Sequence, residues 1–410
     1  MHGNPHDRSP RLHPVRPSER PVPPRVPAPL DWSAAGQARR LDFLRARGVE
    51  VPHLDGRAGP TDPAGLRGNI EQFIGMARVP VGLIGPLRVS GTHLHEDVYV
   101  PLATSEGALV ASYDRGARLL TRGGGVVCMV ADEQVQRAPA FAFASIAQAA
   151  RFAAWAVDEA PAFREVAAGE TAHGRLIDVR AHVEANHVYL VFAFHTGDAA
   201  GQNMVTFCTA AICRYIVERT PVAPEYWFVE SNLSGDKKAA ATRFLDTRGR
   251  KVTAEALVPR ILVTRGLRTT PERMCDCWRM GLLGGVQTGA VGAASHVANA
   301  LAALFLACGQ DVACVAEASV AVLRMEVRDG DLYVALTLPN LIVGTVGGGT
   351  RLPTARECLA IVGCVGTGKA GRFAEICAAT ALAGEVSIVG ALAAGEFAAA
   401  HRRLGRGPVG

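Results

Sequence analysis

Four short stretches carry residue types that could do chemistry together. LATSEGALVAS (102–112) holds Glu106, the only acid in an otherwise neutral run, and SGDKKAAAT (234–242) sets Asp236, Lys237 and Lys238 side by side in a chain that is only 20% charged. LACGQDVAC (306–314) places Asp311 just past an apolar stretch, and AAAHRRLGR (398–406) places His401 close to the end of the chain. A lysine can hold a negative charge that develops on oxygen, a carboxylic acid can give up a proton, and histidine titrates near neutrality. Taken singly, each also has a plain structural reading. Glu106 suits a helix start favoured by the dipole, Asp311 a helix-end loop, His401 a solvated surface, and the charged triplet an exposed helix face.

The elements that must position these residues can be read coarsely. Residues 1–30 contain nine of the 24 prolines and five arginines, a composition that predicts a disordered tail. A structured part opens near Asp31 with a helical stretch through Leu41 and Leu44. NIEQFIGMARVPVGLIGPLRVS (69–90) reads as extended segments and turns. TSEGALVASYDRGARLL (104–120) reads as a helix from Ser105 onward, with Thr104 or Ser105 as its cap. From about 126 to 230 the pattern is βαββαβ, that of a ferredoxin-like unit. Either VVCMVA or AFAFAS supplies its first strand, and 146–160 a helix. Strands at 175–184 and 187–195 flank a hairpin at Ala185-Asn186, followed by a helix at 201–219 and a strand at 225–230. One long apolar helix is expected over 288–309, strand-like segments over 331–347, and a terminal helix over 374–401.

The expected fold class is therefore α+β: a large, mostly helical domain around a long central helix, with an inserted ferredoxin-like domain. The expected boundaries are 1–30 for the tail, 31–137 and 230–410 for the large domain, and 138–229 for the small one.

Composition excludes several classes of function. A net charge of +5 without a basic stripe argues against a nucleic-acid footprint. The ten cysteines form no zinc-ligand pattern, so no metal is expected and a reducing cytoplasm fits best. No apolar core follows the N-terminus. The apolar stretches around 288–308 and 378–400 are interrupted by His296, Asn299, Glu385 and Glu396, so a soluble cytoplasmic protein with no membrane span is expected. GCVGTGKAG (363–371) matches a phosphate-loop pattern until its last position, where Ala370 replaces the hydroxyl that would bind magnesium. A glycine hinge before the terminal helix is the better reading, and a P-loop switch is set aside.

Seven blocks in order, IEQFIGMARVPVGLIGPL, LATSEGALVASYDRG, GDAAGQNM, DKKAAA, ACGQDVA, DLYVALTLPNLIVGTVGGGT and LAGEVSIVGALAAGEF, resemble the 3-hydroxy-3-methylglutaryl-coenzyme A (HMG-CoA) reductases of the eukaryotic and archaeal (class I) type. The resemblance spans roughly 69–402. It implies an NADPH-dependent reduction of the HMG-CoA thioester to mevalonate with release of coenzyme A, NADH being the less favoured cofactor. By residue-to-residue match it implies Lys237 as oxyanion holder and Glu106 as proton donor to the aldehyde oxygen. Asp311 becomes the link between them, and His401 the acid for the departing thiolate. It further implies substrate-binding roles for Arg137, Asp236, Lys238 and Asn299, with Arg137 on the acyl carboxylate, and for Ser112 and Arg115 toward coenzyme A. Asp198, Gly201, Gln202, Asn203, Gly347 and Gly348 would bind the dinucleotide. A homodimer or dimer of dimers with shared active sites is implied too.

The chain departs from the family pattern at TAHGRLI (171–177), where Arg175 or Arg180 would hold a 2′-phosphate, and at SNLSG (231–235) before the lysines. A substrate-pocket lysine of the family falls near Arg279 or Met280. These departures leave two alternatives: a related reductase acting on a different acyl-coenzyme A, and a catalytically silent interaction protein with the same fold.

Overall fold

The computed structural model describes residues 20–404; in the last helix the side chains at 400, 401, 403 and 404 lie outside the description. The chain begins with α1 (Ala34–Arg45), whose N-terminus is closed by the Ser33 hydroxyl accepting the Gly36 amide. There follow β1 (Val81–Gly91), β2 (His95–Ala103), α2 (Leu109–Arg122) and β3 (Val126–Arg137). Next come β4 (Ala140–Ala142), α3 (Ile146–Asp158), α4 (Ala160–Glu170), β5 (Arg175–Glu184), β6 (His187–His195), α5 (Gln202–Arg219) and β7 (Tyr226–Phe228). The second half holds β8 (Gly249–Val258), α6 (Arg260–Leu267), α7 (Pro271–Gln287), α8 (Val297–Ala307) and α9 (Val315–Ala318). It ends with β9 (Val322–Arg328), β10 (Asp331–Leu341), α10 (Pro353–Ile361), α11 (Ala370–Ala393) and α12 (Phe397–Leu404).

From β4 to β7 the strand order is β7-β4-β6-β5, antiparallel throughout, which is the ferredoxin-like arrangement. Both expected first strands exist: VVCMVA lies in β3 and AFA is β4. Phe141, Phe143, Phe152, Phe163, Phe192 and Phe194, all fully buried, fill the space between this sheet and its helices. β3 is the seam. Its Val127–Gln134 stretch pairs with β8 of the larger sheet, and its last residues, Val135–Arg137, pair with β6 of the smaller one. Arg137 thus stands where the two sheets meet.

The long central helix is not where the sequence suggests. Residues 288–296 form no helix. Gly289 and Gly292 take φ of +68° and +117°, and Ala293 bridges to Val322, so α8 is confined to 297–307. The central helix is α11, buried along nearly its whole length. Among the described residues it is the one helix long and apolar enough to cross a membrane, and the fold encloses it. Its crossing with α2 depends on glycine: a Cβ on Gly116 would lie 1.9 Å from the Ala383 carbonyl oxygen. The expected terminal helix is two helices, separated at Gly395 with φ +72°.

Two further expectations change. α2 starts at Leu109 rather than Ser105, because Ala108 sits at φ +72°. Thr104 and Ser105 therefore do not cap it, and Glu106 lies in the approach loop. Residues 20–30, expected to be disordered, are anchored: Arg25 pairs with Asp114 at 3.0 Å, the Tyr99 hydroxyl donates to the Pro24 carbonyl, and Val26 is buried. The rest of the tail lies outside the described residues. The large domain is also richer in strand than expected, since β1, β2, β8, β9 and β10 all belong to it. β8 is not evident in the sequence because RGRKVTAEALV opens with three charges in four residues and carries a fourth at Glu255.

Candidate active site

The charged triplet Asp236–Lys237–Lys238 lies in a tight loop between β7 and β8. Asn232, Gly235 and Lys237 all take left-handed backbone angles, with φ of +64°, +69° and +55°. Lys237 Nζ meets Asp311 Oδ2 at 2.8 Å, and each side chain is a little over two-fifths exposed. The hydrogen bond from Lys237 to Asp311 raises the lysine pKa above its ordinary value. On Asp311, burial works to raise the pKa, but the Lys237 ammonium and the Ala313 amide overcome it and hold the carboxyl below the usual range. Asp311 is fixed from both oxygens, since Oδ1 accepts from Ala313 N at 3.1 Å.

Behind the pair stands a chain of buried and half-buried ions. Arg137 Nη1 contacts Glu230 at 2.8 Å and Asp236 at 3.0 Å, Arg248 Nη2 contacts Asp236 at 3.0 Å, and Arg248 Nη1 reaches Glu317 at 2.5 Å. Arg248 and Glu317 are fully buried, and Glu317 Oε1 accepts the Lys237 amide at 3.1 Å. Sequence reading did not find Glu230, Arg248 or Glu317. Arg137, expected on a substrate carboxylate, has its guanidinium engaged by the chain's own acids, and a substrate would have to share it. The exposed Lys238 turns its ammonium to the Asp236 carbonyl.

The expected cofactor segments lie beside this pair. Gln202, at the start of α5, donates to Cys314 Sγ at 3.0 Å and points to Asp311 Oδ2 at 3.5 Å. Ala199 bridges to Val346, and Thr345 N donates to the Asp198 carbonyl, so loops 197–203 and 344–348 are joined. The motif residues between them are structural seats. The Gln310 amide bonds Gly344 in both directions, and a Cβ on Gly309 would lie 2.3 Å from the Gly349 carbonyl oxygen. Gly347 and Gly348, at φ +75° and +52°, have open space where a Cβ would project. Gly201, at φ +76°, leads directly into α5, and Asn203 follows in the first turn. This is a backbone that a dinucleotide can approach closely. The Asp198 carboxylate faces elsewhere: it accepts the amides of Gly368, Lys369 and Ala370 at 2.7–3.1 Å and closes the N-terminus of α11. The glycine stretch that imitates a phosphate loop is therefore a capped helix start.

A second group surrounds a cavity of about 1030 Å³. Glu106 and Asn299 sit on its wall, with Asn299 Nδ2 donating to Glu106 Oε2 at 2.7 Å. Ser112 and Arg115 line it as well. Both reach Ser387 of α11, Ser112 through its hydroxyl at 3.0 Å and Arg115 through Nε at 3.0 Å and Nη2 at 2.8 Å. Two residues earlier on the same helix, buried Glu385 accepts the Ser295 and His296 amides at the start of α8. Burial pushes its carboxyl up to about 7, although those amide bonds oppose the shift. Among the described residues, Glu106 bonds Asn299 and Thr104, which are not part of the Lys237 group. The His401 side chain lies outside the described residues; its backbone is in α12.

Comparison with known proteins identifies the family. Residues 37–406 match the family model described as hydroxymethylglutaryl-coenzyme A reductase. The chain is 42% identical to the 3-hydroxy-3-methylglutaryl-coenzyme A reductase of Pyrococcus abyssi over 385 residues, covering 92% of this chain and 94% of that protein. It is 45% identical to that of Aeropyrum pernix, covering 83% and 82%. With reductase 1 of Oryza sativa it shares 35%, covering 92% and 72%. Among solved structures, a class II 3-hydroxy-3-methylglutaryl-CoA reductase from Streptococcus pneumoniae bound to NADPH superposes with a TM-score of 0.71 at 17% identity, covering 88% of this chain and 100% of that one. The likeness in sequence runs through every segment that builds the two groups of residues, and the chain belongs to the hydroxymethylglutaryl-coenzyme A reductase family.

Proposed function

We propose that the chain is a class I enzyme of this family, reducing the HMG-CoA thioester to mevalonate with two molecules of NADPH in succession and releasing coenzyme A. The observation that carries the reading is the 2.8 Å Lys237–Asp311 pair set directly against Gln202, so that a fixed cation stands beside the loop suited to the dinucleotide. Gly201, Gln202, Asn203, Gly347 and Gly348 would hold NADPH, which supplies hydride when bound, and Arg175, exposed at the start of β5, would take its 2′-phosphate. Arg180, the other candidate, is engaged by Asp178 and Asp246.

Each residue of the chain then has a task. As negative charge grows on the thioester oxygen, Lys237 meets it, and Asp311 keeps that ammonium charged and aimed. The carbon–sulfur bond breaks, and His401, carried in by α12, protonates the departing thiolate. The resulting aldehyde is reduced in turn, with Glu106, held by Asn299, giving the proton that its oxygen takes up. The cavity lined by Ser112 and Arg115 receives coenzyme A.

The site is assembled, in this reading, in a homodimer that brings the Lys237 group of one subunit to the Glu106 group of another. Exposed Met280, Leu283 and Val286 along one face of α7, together with exposed Ile70, Ile74 and Met76, support such an interface. The enclosure of α11 and the ten free thiols support a soluble cytoplasmic enzyme. The test is turnover of HMG-CoA with NADPH and with NADH. The expected result is faster turnover with NADPH; absence of turnover with either would sink the reading.

A further inference from the structure

We infer that the buried Arg248–Glu317 pair is a positioning device for Lys237, holding its backbone while Asp311 holds its ammonium. The inference rests on the assignment of Lys237 above. Lys237 is a long, non-glycine side chain at φ +55°, a conformation L residues rarely adopt and one that persists only where surroundings impose it. The imposition is visible on the N-terminal side of its α-carbon, at its own amide and at the residue before it. Glu317 Oε1 accepts the Lys237 amide at 3.1 Å, and Arg248, contacting Glu317 at 2.5 Å, also contacts the preceding Asp236 at 3.0 Å. Asp236 is held from the other side by Arg137.

The two carboxylates that grip Lys237 come from one short segment. Asp311 precedes a 3-10 turn, Val312–Cys314, and Glu317 lies on α9, which follows it directly. A shift of this segment therefore carries the partner of the amide and the partner of the ammonium together. Burial raises the Glu317 carboxyl above its ordinary value while Arg248 opposes the shift. An unpaired carboxylate at a fully buried position would destabilise the fold, and Arg248 supplies the compensating charge. Arg248 and Glu317 are themselves fully buried, so their effect is on where the lysine stands.

Comparing Glu317→Gln with Glu317→Leu separates this role from simple support of the fold. Both remove the charge opposite Arg248 and lower the melting temperature, but only glutamine keeps an oxygen for the Lys237 amide. Glu317→Gln is expected to keep kcat within about fivefold of the wild type, and Glu317→Leu to lose about 100-fold in kcat with KM for the thioester nearly unchanged, the scale of a misplaced catalytic group. Equal kcat in the two folded variants would overturn the inference. Should either variant fail to fold, Arg248→Met/Glu317→Leu replaces the whole ion pair by apolar groups, which retains stability in other proteins. Its expected kcat is again about 100-fold low, and a wild-type kcat would overturn the inference. Lys237→Ala, measured alongside, distinguishes the two levels. If it is inactive while the double variant is fully active, the positioning role alone fails; if it is active, the site assignment fails with it.

Discussion

At the scale of single residues, the ion pair between Lys237 and Asp311 makes two demands that can be measured. Lys237 is more than two-fifths exposed, so Lys237→Ala should leave the melting temperature close to the wild type while kcat falls by roughly 10²–10³-fold, the range seen when an oxyanion partner is removed. Asp311→Asn should act through pH. The lysine pKa is raised chiefly by its hydrogen bond to Asp311, so the variant lowers it, and the alkaline limb of the kcat profile should move to lower pH. An unmoved limb would mean that the lysine charge does not depend on Asp311. The residues of this pair stood out in the sequence as charges in largely apolar or neutral stretches, but their pairing was implied only by the family resemblance. Glu317 and Arg248 did not stand out, since VAEAS and DTRGRK look like ordinary surface segments. Burial of a charge is decided by segments distant in the chain, and no local pattern records it. Arg137 was singled out by the family resemblance, which gave no sign of its engagement with Glu230 and Asp236.

At the scale of elements, α11 ties the parts of the site together. Asp198 closes its first turn, Glu385 seats the start of α8, and Ser387 receives Ser112 and Arg115. Removing the cap by Asp198→Ala should cost about 1 kcal/mol of stability, the usual worth of such a residue, as read from urea unfolding. Glu385 predicts a pH dependence. Its folded pKa of about 7 stands above the ordinary 4.5, so the folded state holds the proton more tightly than the unfolded chain does. The associated stability is complete below about pH 4.5, falls as pH rises to about 7, and amounts to about 3 kcal/mol over that window. Glu385→Gln should flatten this decline, which unfolding midpoints across pH 4–8 would reveal. The sequence placed the central helix at 288–309 because that stretch is apolar. Gly289 and Gly292 break it, whereas α11 tolerates acids within it because Glu375 and Glu385 find backbone amides at Thr92, His93, Ser295 and His296.

At the scale of the whole molecule, the two groups of site residues are built on different parts of the fold: Lys237 and Asp311 beside the dinucleotide loops, Glu106 and Asn299 beside the large cavity. The proposed dimer joins them, and Leu283→Asp on the exposed face of α7 should yield monomers by light scattering, with turnover lost in parallel. Monomers with full turnover would show that one chain suffices. The ferredoxin-like order of β4 to β7 was partly readable from alternation and spacing, which gave the β5–β6 hairpin and α5 but left the first strand open between VVCMVA and AFAFAS and did not foresee α4. The seam at β3 was not readable, since one strand serves two sheets and its register is set by partners more than a hundred residues away in β8. The most direct test of the account is the stoichiometry of the complete reaction with purified protein and HMG-CoA. It predicts two NADPH oxidised for each thioester consumed, with one free thiol released and mevalonate as product; one NADPH per thioester, or none, would contradict it.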